Sequence, residues 1–162
     1  MYKQYLFVKS CKTGKGIFTS IQLPADVPLF EVTGTIYAEK DLPDPNHPAL
    51  LQVGPNTFIG PSGGLDDYIN HSCDPNCRMQ VVGNRAIVYS LYVITAGAEL
   101  TFDYSTTSTD TYDKWKMECA CGTHKCRGTI SGYHYLDPSL QEEYKNKGMI
   151  PLFITFPVFQ KR

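Results

Sequence analysis

A mainly β fold with a short C-terminal helix is expected from three features of the chain. Its apolar segments are short and are punctuated by glycine, proline and asparagine. Two β-rich runs flank Gly83-Asn84, residues that tolerate positive φ, which is a hairpin signal. Only the stretch from Asp137 to Gly148 carries both a helix start and a helix stop. The 162 residues suit one compact domain, and a hydrophobic fraction of 42% with 12% aromatics can fill its core.

In chain order, the run from Tyr5 to Val8 and the run Ile17-Phe18-Thr19 read as two strands, with Gly14-Lys15-Gly16 as the glycine turn between them. Pro24 to Pro28 is a loop. Leu29 to Tyr37 is a further β-rich stretch, with Gly34 as a bulge or a point of close backbone approach. Asp41 to Pro48 holds three prolines and reads as an irregular surface loop. Met79–Val82 and Arg85–Tyr89 form the hairpin, and Glu99 to Tyr104 is a short strand. Ser105 opens a polar Ser/Thr/Asp segment, 105–113, expected to be a mobile loop. Asp137 can cap a helix, Pro138 suits its first position and Gly148 its end. Leu140 and Tyr144 share a face of that helix, and Glu143 can pair with Lys147. The apolar tail, Met149 to Phe159, carries Pro151 and Pro157 and is expected to lie back over the domain as an extended cover.

Charge narrows the function classes. Fifteen Lys plus Arg against sixteen Asp plus Glu give a net charge of −1, which argues against a dedicated nucleic-acid groove but not against basic peptides. Ala86 to Ile94, the longest uncharged apolar run, is too short for a membrane span. The first residues lack the apolar core of a signal peptide, so an intracellular, reducing compartment is expected, cytoplasm or nucleus. Monomer and dimer both remain open.

Six cysteines are present: Cys11, Cys73, Cys77, Cys119, Cys121 and Cys126. Three of them fall together in Cys119-Ala-Cys121-Gly-Thr-His-Lys-Cys126. Zinc favours four tetrahedral ligands and sulfur in structural sites, so this cluster is a metal candidate lacking one ligand. Cys73, Cys77, Cys11 and His124 are the options for the fourth.

Several motifs then occur in a set order. Gly14-Lys15-Gly16-Ile17-Phe18 comes first, then Phe30-Glu31-Val32-Thr33-Gly34, then Asn70-His71-Ser72, then Gly97-Ala-Glu-Leu-Thr-Phe-Asp-Tyr104. The cysteine cluster with Cys126-Arg127-Gly128 follows. Together they resemble the SET domain of protein-lysine methyltransferases with a post-SET zinc module, in a minimal form without a pre-SET module. The likeness covers about residues 4 to 131. It implies a SET-domain span of 4–105, a post-SET zinc-binding segment of 115–131, and a C-terminal helix and tail of 132–162. The chain departs from common family residues at Val32, Asp67 and Tyr92.

What the resemblance implies is specific. The fold would be small β-sheets around a pseudoknot that brings the Asn70 segment beside Tyr104. The activity would be methyl transfer from S-adenosylmethionine to a lysine of a protein or peptide, by family default a histone. The rival reading is a catalytically weak binding module on the same fold. Tyr104 would be the catalytic residue, and Gly14, Lys15, Gly16, Asn70, His71, Tyr104 and Ile130 would contact the cofactor, with Trp115 a second candidate for the adenine face. Phe102 and Tyr68 would face the substrate lysine. Phe102, where family members carry Phe or Tyr, leaves room for di- or trimethylation. The resemblance makes Cys73 the fourth zinc ligand beside Cys119, Cys121 and Cys126, leaving Cys11 and Cys77 as thiols.

Overall fold

The computed structural model describes residues 1–109 and 115–155. The first two strands are β1 (Leu6–Cys11) and β2 (Gly14–Thr19), an antiparallel hairpin in which Cys11 faces Gly14. The turn is therefore Lys12-Thr13. Gly14 and Gly16 lie in the second strand, not in the turn expected from them. The reason for Gly16 is steric: a Cβ there would fall 2.2 Å from Glu99 Oε1 and 2.9 Å from Asn70 Nδ2.

The β-rich stretch before Tyr37 divides into β3 (Pro28–Val32) and β4 (Ile36–Ala38), which join different sheets. Gly34 makes the division. Its φ is +140°, and a Cβ would sit 2.0 Å from the carbonyl oxygen of Gly60. The close approach expected from sequence is present. Gly34→Ala should destabilise the fold by at least about 2 kcal/mol, through strain plus overlap; a denaturant midpoint equal to wild type would contradict this.

Next come β5 (Leu51–Gly54) and β6 (Thr57–Ile59), which with β4 make a three-stranded sheet of order β4-β6-β5. A two-residue strand, β7 (Asn70–His71), follows a 3-10 turn over Leu65–Tyr68. The predicted hairpin forms as β8 (Cys77–Val82) and β9 (Arg85–Ser90), with Val82 paired to Arg85 across Gly83-Asn84. It completes a sheet of order β3-β9-β8.

The strand β10 (Glu99–Phe102) is topologically decisive. It inserts between two earlier strands, antiparallel to β2 and parallel to β7, in a sheet of order β1-β2-β10-β7. Thr101 pairs with Asn70 and Phe102 with His71. Asn76 fastens the arrangement: its Oδ1 accepts from Thr101 N at 2.9 Å and its Nδ2 donates to the Glu99 carbonyl at 2.7 Å. Leu100, Phe102, Ile17, Leu29, Phe30 and Val88 are buried in the main core that these sheets enclose.

After β10 the first part of the expected mobile loop is instead a buried turn. Tyr104–Thr107 is a 3-10 turn, and Ser105, Thr106 and Thr107 are buried. Their polar groups are paired locally: Ser105 N donates to Asp103 Oδ1, and Thr106 Oγ1 donates to the Asp103 carbonyl at 2.7 Å. Hydrogen bonds therefore let this polar segment enter the interior. The later part of the expected loop, 110–113, lies outside the described residues.

The late segment forms a small antiparallel ribbon, β11 (Lys116–Glu118) with β12 (Thr129–Ser131). The helix α1 (Pro138–Asn146) begins as its sequence signals require. Asp137 accepts from Ser139 N at 2.8 Å, and Gly148 follows with a φ of +62°. Lys147 Nζ reaches Glu143 Oε1 at 2.7 Å. The tail is not extended throughout: α2 (Leu152–Thr155) is a helical turn that buries Ile154 beside Met149, Tyr133, Leu136 and Tyr144. Four residues after Pro151 suffice for one turn, since proline suits a helix start. Residues 156–162 of the expected cover lie outside the described residues. Among the described residues, no helix is long and apolar enough to cross a membrane.

Candidate active site

Tyr104 begins the turn that follows β10, so the β10–β7 pairing carries its backbone to the end of the Asn70–His71 strand. Tyr104 N donates to His71 Nδ1 at 3.1 Å, and the phenol donates to the carbonyl of Ile69 at 2.7 Å. The aromatic rings of His71 and Tyr104 meet edge to face with centroids 5.3 Å apart. Phe102 packs on Tyr104 with centroids 4.9 Å apart. Burial, then the charge of Glu99, pushes the Tyr104 phenol above its ordinary ionisation range. The group is thus a neutral phenol whose proton is committed to a carbonyl, leaving its oxygen lone pairs to accept.

His71 is neutral as well. Burial, reinforced by the Arg127 charge and opposed by Asp103, holds it down at about 4. Because Nδ1 accepts from Tyr104, the ring proton belongs on Nε2, which lies 3.3 Å from Cys73 Sγ. Asn70 is clamped at the other end of the strand. Its Nδ2 donates to Glu99 Oε1 at 2.7 Å and to the Lys15 carbonyl at 2.8 Å. Glu99, which no sequence motif marks as a site residue, therefore joins Asn70 beside the Gly14–Gly16 segment.

A cleft of about 710 Å³ opens beside these groups. Its lining includes Lys15, Tyr68, Asn70, Tyr104, His47 and Asp67. That volume lies in the range of small-molecule sites. The Asp67 carboxylate is engaged by Ser62 N at 2.9 Å and Gly63 N at 2.8 Å, which shapes one wall. Lys15 Nζ stands 5.5 Å from the centre of the Tyr68 ring.

Behind the cleft, Cys73, Cys119, Cys121 and Cys126 converge, with all four Sγ atoms within 4.8 Å of one another. Tetrahedral zinc with bonds of about 2.3 Å needs sulfurs about 3.8 Å apart, so the set fits the ion. Cys73 and Cys119 stand 3.6 Å apart. Arg127 N donates to Cys73 Sγ at 3.4 Å, the kind of backbone bond that steadies a bound thiolate. Cys77 is elsewhere, buried in β8, where desolvation pushes its thiol up to about 12. His124 is exposed and outside the group. Ile130 is buried with Cys73 and Cys119, and Trp115 and Tyr104 pack on that small cluster.

One buried carboxylate joins the parts. Asp103 is fully buried. It receives both arms of Arg127, at 2.7 and 2.9 Å, and the Tyr144 hydroxyl at 2.8 Å. The pairing with Asp103 outweighs desolvation and raises the Arg127 pKa, keeping the guanidinium charged. Asp103 and Arg127 lie inside sequence motifs and Tyr144 on a helix face, but no local spacing signals that the three meet. Of the residues expected at the site, Lys15, Asn70, Tyr68 and Tyr104 line one cleft. His71, Phe102 and Ile130 are buried and do not line it. Gly16 is buried against Glu99 and Asn70, and Gly14 has a φ of +110° with open space where a Cβ would stand.

Known proteins resemble this chain in sequence and in fold. The SET domain family matches residues 14–105. Histone-lysine N-methyltransferase, H3 lysine-36 specific, of Cryptococcus neoformans is 31% identical over 136 residues, which is 75% of this chain and 16% of the relative. Histone-lysine N-methyltransferase ash1 of Drosophila melanogaster is 32% identical over 133 residues, 74% of this chain and 6% of the relative. The chain thus spans about a sixth or less of the length of these relatives. The crystal structure of KRYPTONITE in complex with mCHG DNA and SAH superposes with a TM-score of 0.65 at 25% identity, covering 78% of this chain and 29% of that one. With the sheet order, the Asn70–Tyr104 juxtaposition and the match over residues 14–105 in agreement, the chain belongs to the SET-domain family.

Proposed function

We propose that this chain is an S-adenosylmethionine-dependent protein-lysine N-methyltransferase with a structural zinc in its post-SET segment. The observation that carries the reading is Tyr104, its neutral phenol donating to the Ile69 carbonyl and its backbone N–H to His71, at the wall of the cleft that Asn70 and Lys15 also line. Histone methyltransferase relatives and a structural neighbour solved with SAH support it. The donor supplies a methyl group already activated on a sulfonium. The protein's share is positioning and the exclusion of water. Tyr104 orients the incoming amine through its oxygen lone pairs. An acceptor lysine, ordinarily charged at neutral pH, becomes the neutral nucleophile through desolvation in the channel.

Gly14, Lys15, Gly16, Asn70 and His71 form the cofactor side in this reading, with Ile130 beneath the adenine. Tyr68 and Phe102 form the lysine side. Cys73, Cys119, Cys121 and Cys126 hold the zinc. The functional spans are 4–105 for the catalytic domain, 115–131 for the zinc segment and 132–162 for the helix and tail. The substrate is a lysine-bearing protein or peptide, with histones first among those to test, in the nucleus or cytoplasm.

The deciding experiment incubates purified protein with methyl-labelled S-adenosylmethionine and panels of histones and whole-cell proteins, then maps labelled residues by mass spectrometry. Label on lysine supports the reading. Cofactor binding without label on any protein favours the catalytically weak binding module instead. Phe102 sets the product in this reading, because a phenyl ring places no hydroxyl in the channel. Phe102→Tyr should shift the products from di- and trimethyl-lysine toward monomethyl-lysine; an unchanged distribution in the mass spectra would refute that role.

A further inference from the structure

The C-terminal helix α1 lies outside the stretch that matches the SET family, yet one of its side chains reaches the centre of the site. Tyr144 is 3% exposed, is held among Tyr133, Leu136, Met149 and Ile154, and donates its hydroxyl to Asp103 Oδ2 at 2.8 Å. The Asp103 carboxylate has about four acceptor sites. Arg127 Nη2 and Ser105 N occupy Oδ1, at 2.9 and 3.0 Å. Arg127 Nη1 and Tyr144 occupy Oδ2. The tyrosine therefore supplies the last donor to a carboxylate with no access to water.

What Asp103 holds is consequential. It is the neighbour of Tyr104, and its Oδ1 stands 3.5 Å from His71 Nδ1, the atom that accepts from Tyr104 N. Its partner Arg127 donates its backbone N–H to Cys73 Sγ and follows Cys126 directly. One carboxylate thus faces the methyl-transfer tyrosine on one side and the thiolate cluster on the other. If the Tyr144 hydroxyl is removed, one buried lone pair of Oδ2 loses its donor, and the carboxylate that Arg127 grips with both arms loses its tether to α1.

We propose that Tyr144 is a positioning residue. Its hydroxyl completes the coordination of Asp103 and so makes α1 a working part of both the zinc clip and the Tyr104 centre. The inference rests on the methyltransferase reading for its effect on turnover, whereas its effect on zinc does not depend on that reading.

The test uses Tyr144→Phe, which keeps the packing, and Leu140→Ala, which thins the same helix and keeps the hydroxyl. Both are purified with zinc bound, and zinc transfer to a chromophoric chelator is timed beside their thermal midpoints. A ligand-supporting contact commonly changes metal affinity ten- to a hundred-fold, and Tyr144 acts one bond further out, so release about five-fold faster than wild type is expected for Tyr144→Phe. Leu140→Ala should lower the midpoint as much or more yet release zinc at the wild-type rate. Equal release from Tyr144→Phe and wild type, or release from both variants that simply tracks the midpoint, would overturn the proposal. In the activity arm, Tyr144→Phe should lower kcat several-fold with KM for the peptide within about two-fold, because the contact orders reacting groups rather than the peptide. A wild-type protein that transfers no label defeats the methyltransferase reading, and the zinc measurement still decides the role of Tyr144.

Discussion

Tyr104→Phe is expected to cut methyl transfer to lysine by on the order of a hundred-fold, with zinc content and fold unchanged. The phenol has one visible structural bond, to the Ile69 carbonyl at 2.7 Å. Losing it should cost about 1 kcal/mol of stability, since the carbonyl next to the cleft can find water. In the proposed mechanism the catalytic loss is larger, because the oxygen, not the ring, accepts from the amine at the point of transfer. Phenylalanine fills the same space against Phe102 and His71 but offers no lone pair. The same geometry fixes a pH dependence. The phenol's ionisation is raised by burial and by Glu99, so its neutral form persists to higher pH than in a free tyrosine. Turnover should climb with pH as the acceptor amine deprotonates, with no downturn from Tyr104 up to about pH 9. Label transfer by the variant at the wild-type rate would remove Tyr104 from the reaction.

The second large effect is on metal. Purified protein should hold about one zinc per chain by elemental analysis, and Cys73→Ser should lose it while Cys77→Ser keeps it. The contrast is geometric: Cys73 lies in the sulfur cluster with Cys119, Cys121 and Cys126, and Cys77 is buried in β8 outside it. Chelation of the wild type should open the segment around β11 and β12, read as faster amide exchange there, since metal binding contributes folding energy to a loop with little core of its own. The exchange of β8 and β9, packed in the main core, should change little. Full zinc retention in Cys73→Ser, with loss in Cys77→Ser, would reverse the assignment.

Local chemistry was legible wherever a neighbour in sequence is also the partner in space. The Asp137 cap, the Pro138 start, the Gly148 stop and the Glu143–Lys147 pair all follow from contacts within a helix. The Gly83-Asn84 hairpin follows from turn stereochemistry. Errors came where distant residues decide. Gly14 and Gly16 read as a turn by propensity, yet Gly16 sits in a strand because Glu99 and Asn70 occupy the space a side chain would need. Ser105 to Thr107 read as the start of a mobile loop because they are polar, yet local hydrogen bonds pair them inside. The proline-flanked tail read as extended, yet Leu152–Thr155 coils to bury Ile154.

Sequence alone determined the chemical inventory: the Gly14-Lys15-Gly16 motif, the Asn70-His71 pair, Tyr104, the clustered late cysteines and a capped helix. Tertiary structure alone decided how they combine. Only the insertion of β10 between β2 and β7 sets Tyr104 beside His71, and only the closure of the late segment onto Cys73 gathers four sulfurs. The meeting of Asp103, Arg127 and Tyr144 belongs to the same class, with Arg127 24 positions and Tyr144 41 positions after Asp103. Contacts across such separations leave no periodic trace in the chain, because what selects them is the need to pair a carboxylate that folding has removed from water.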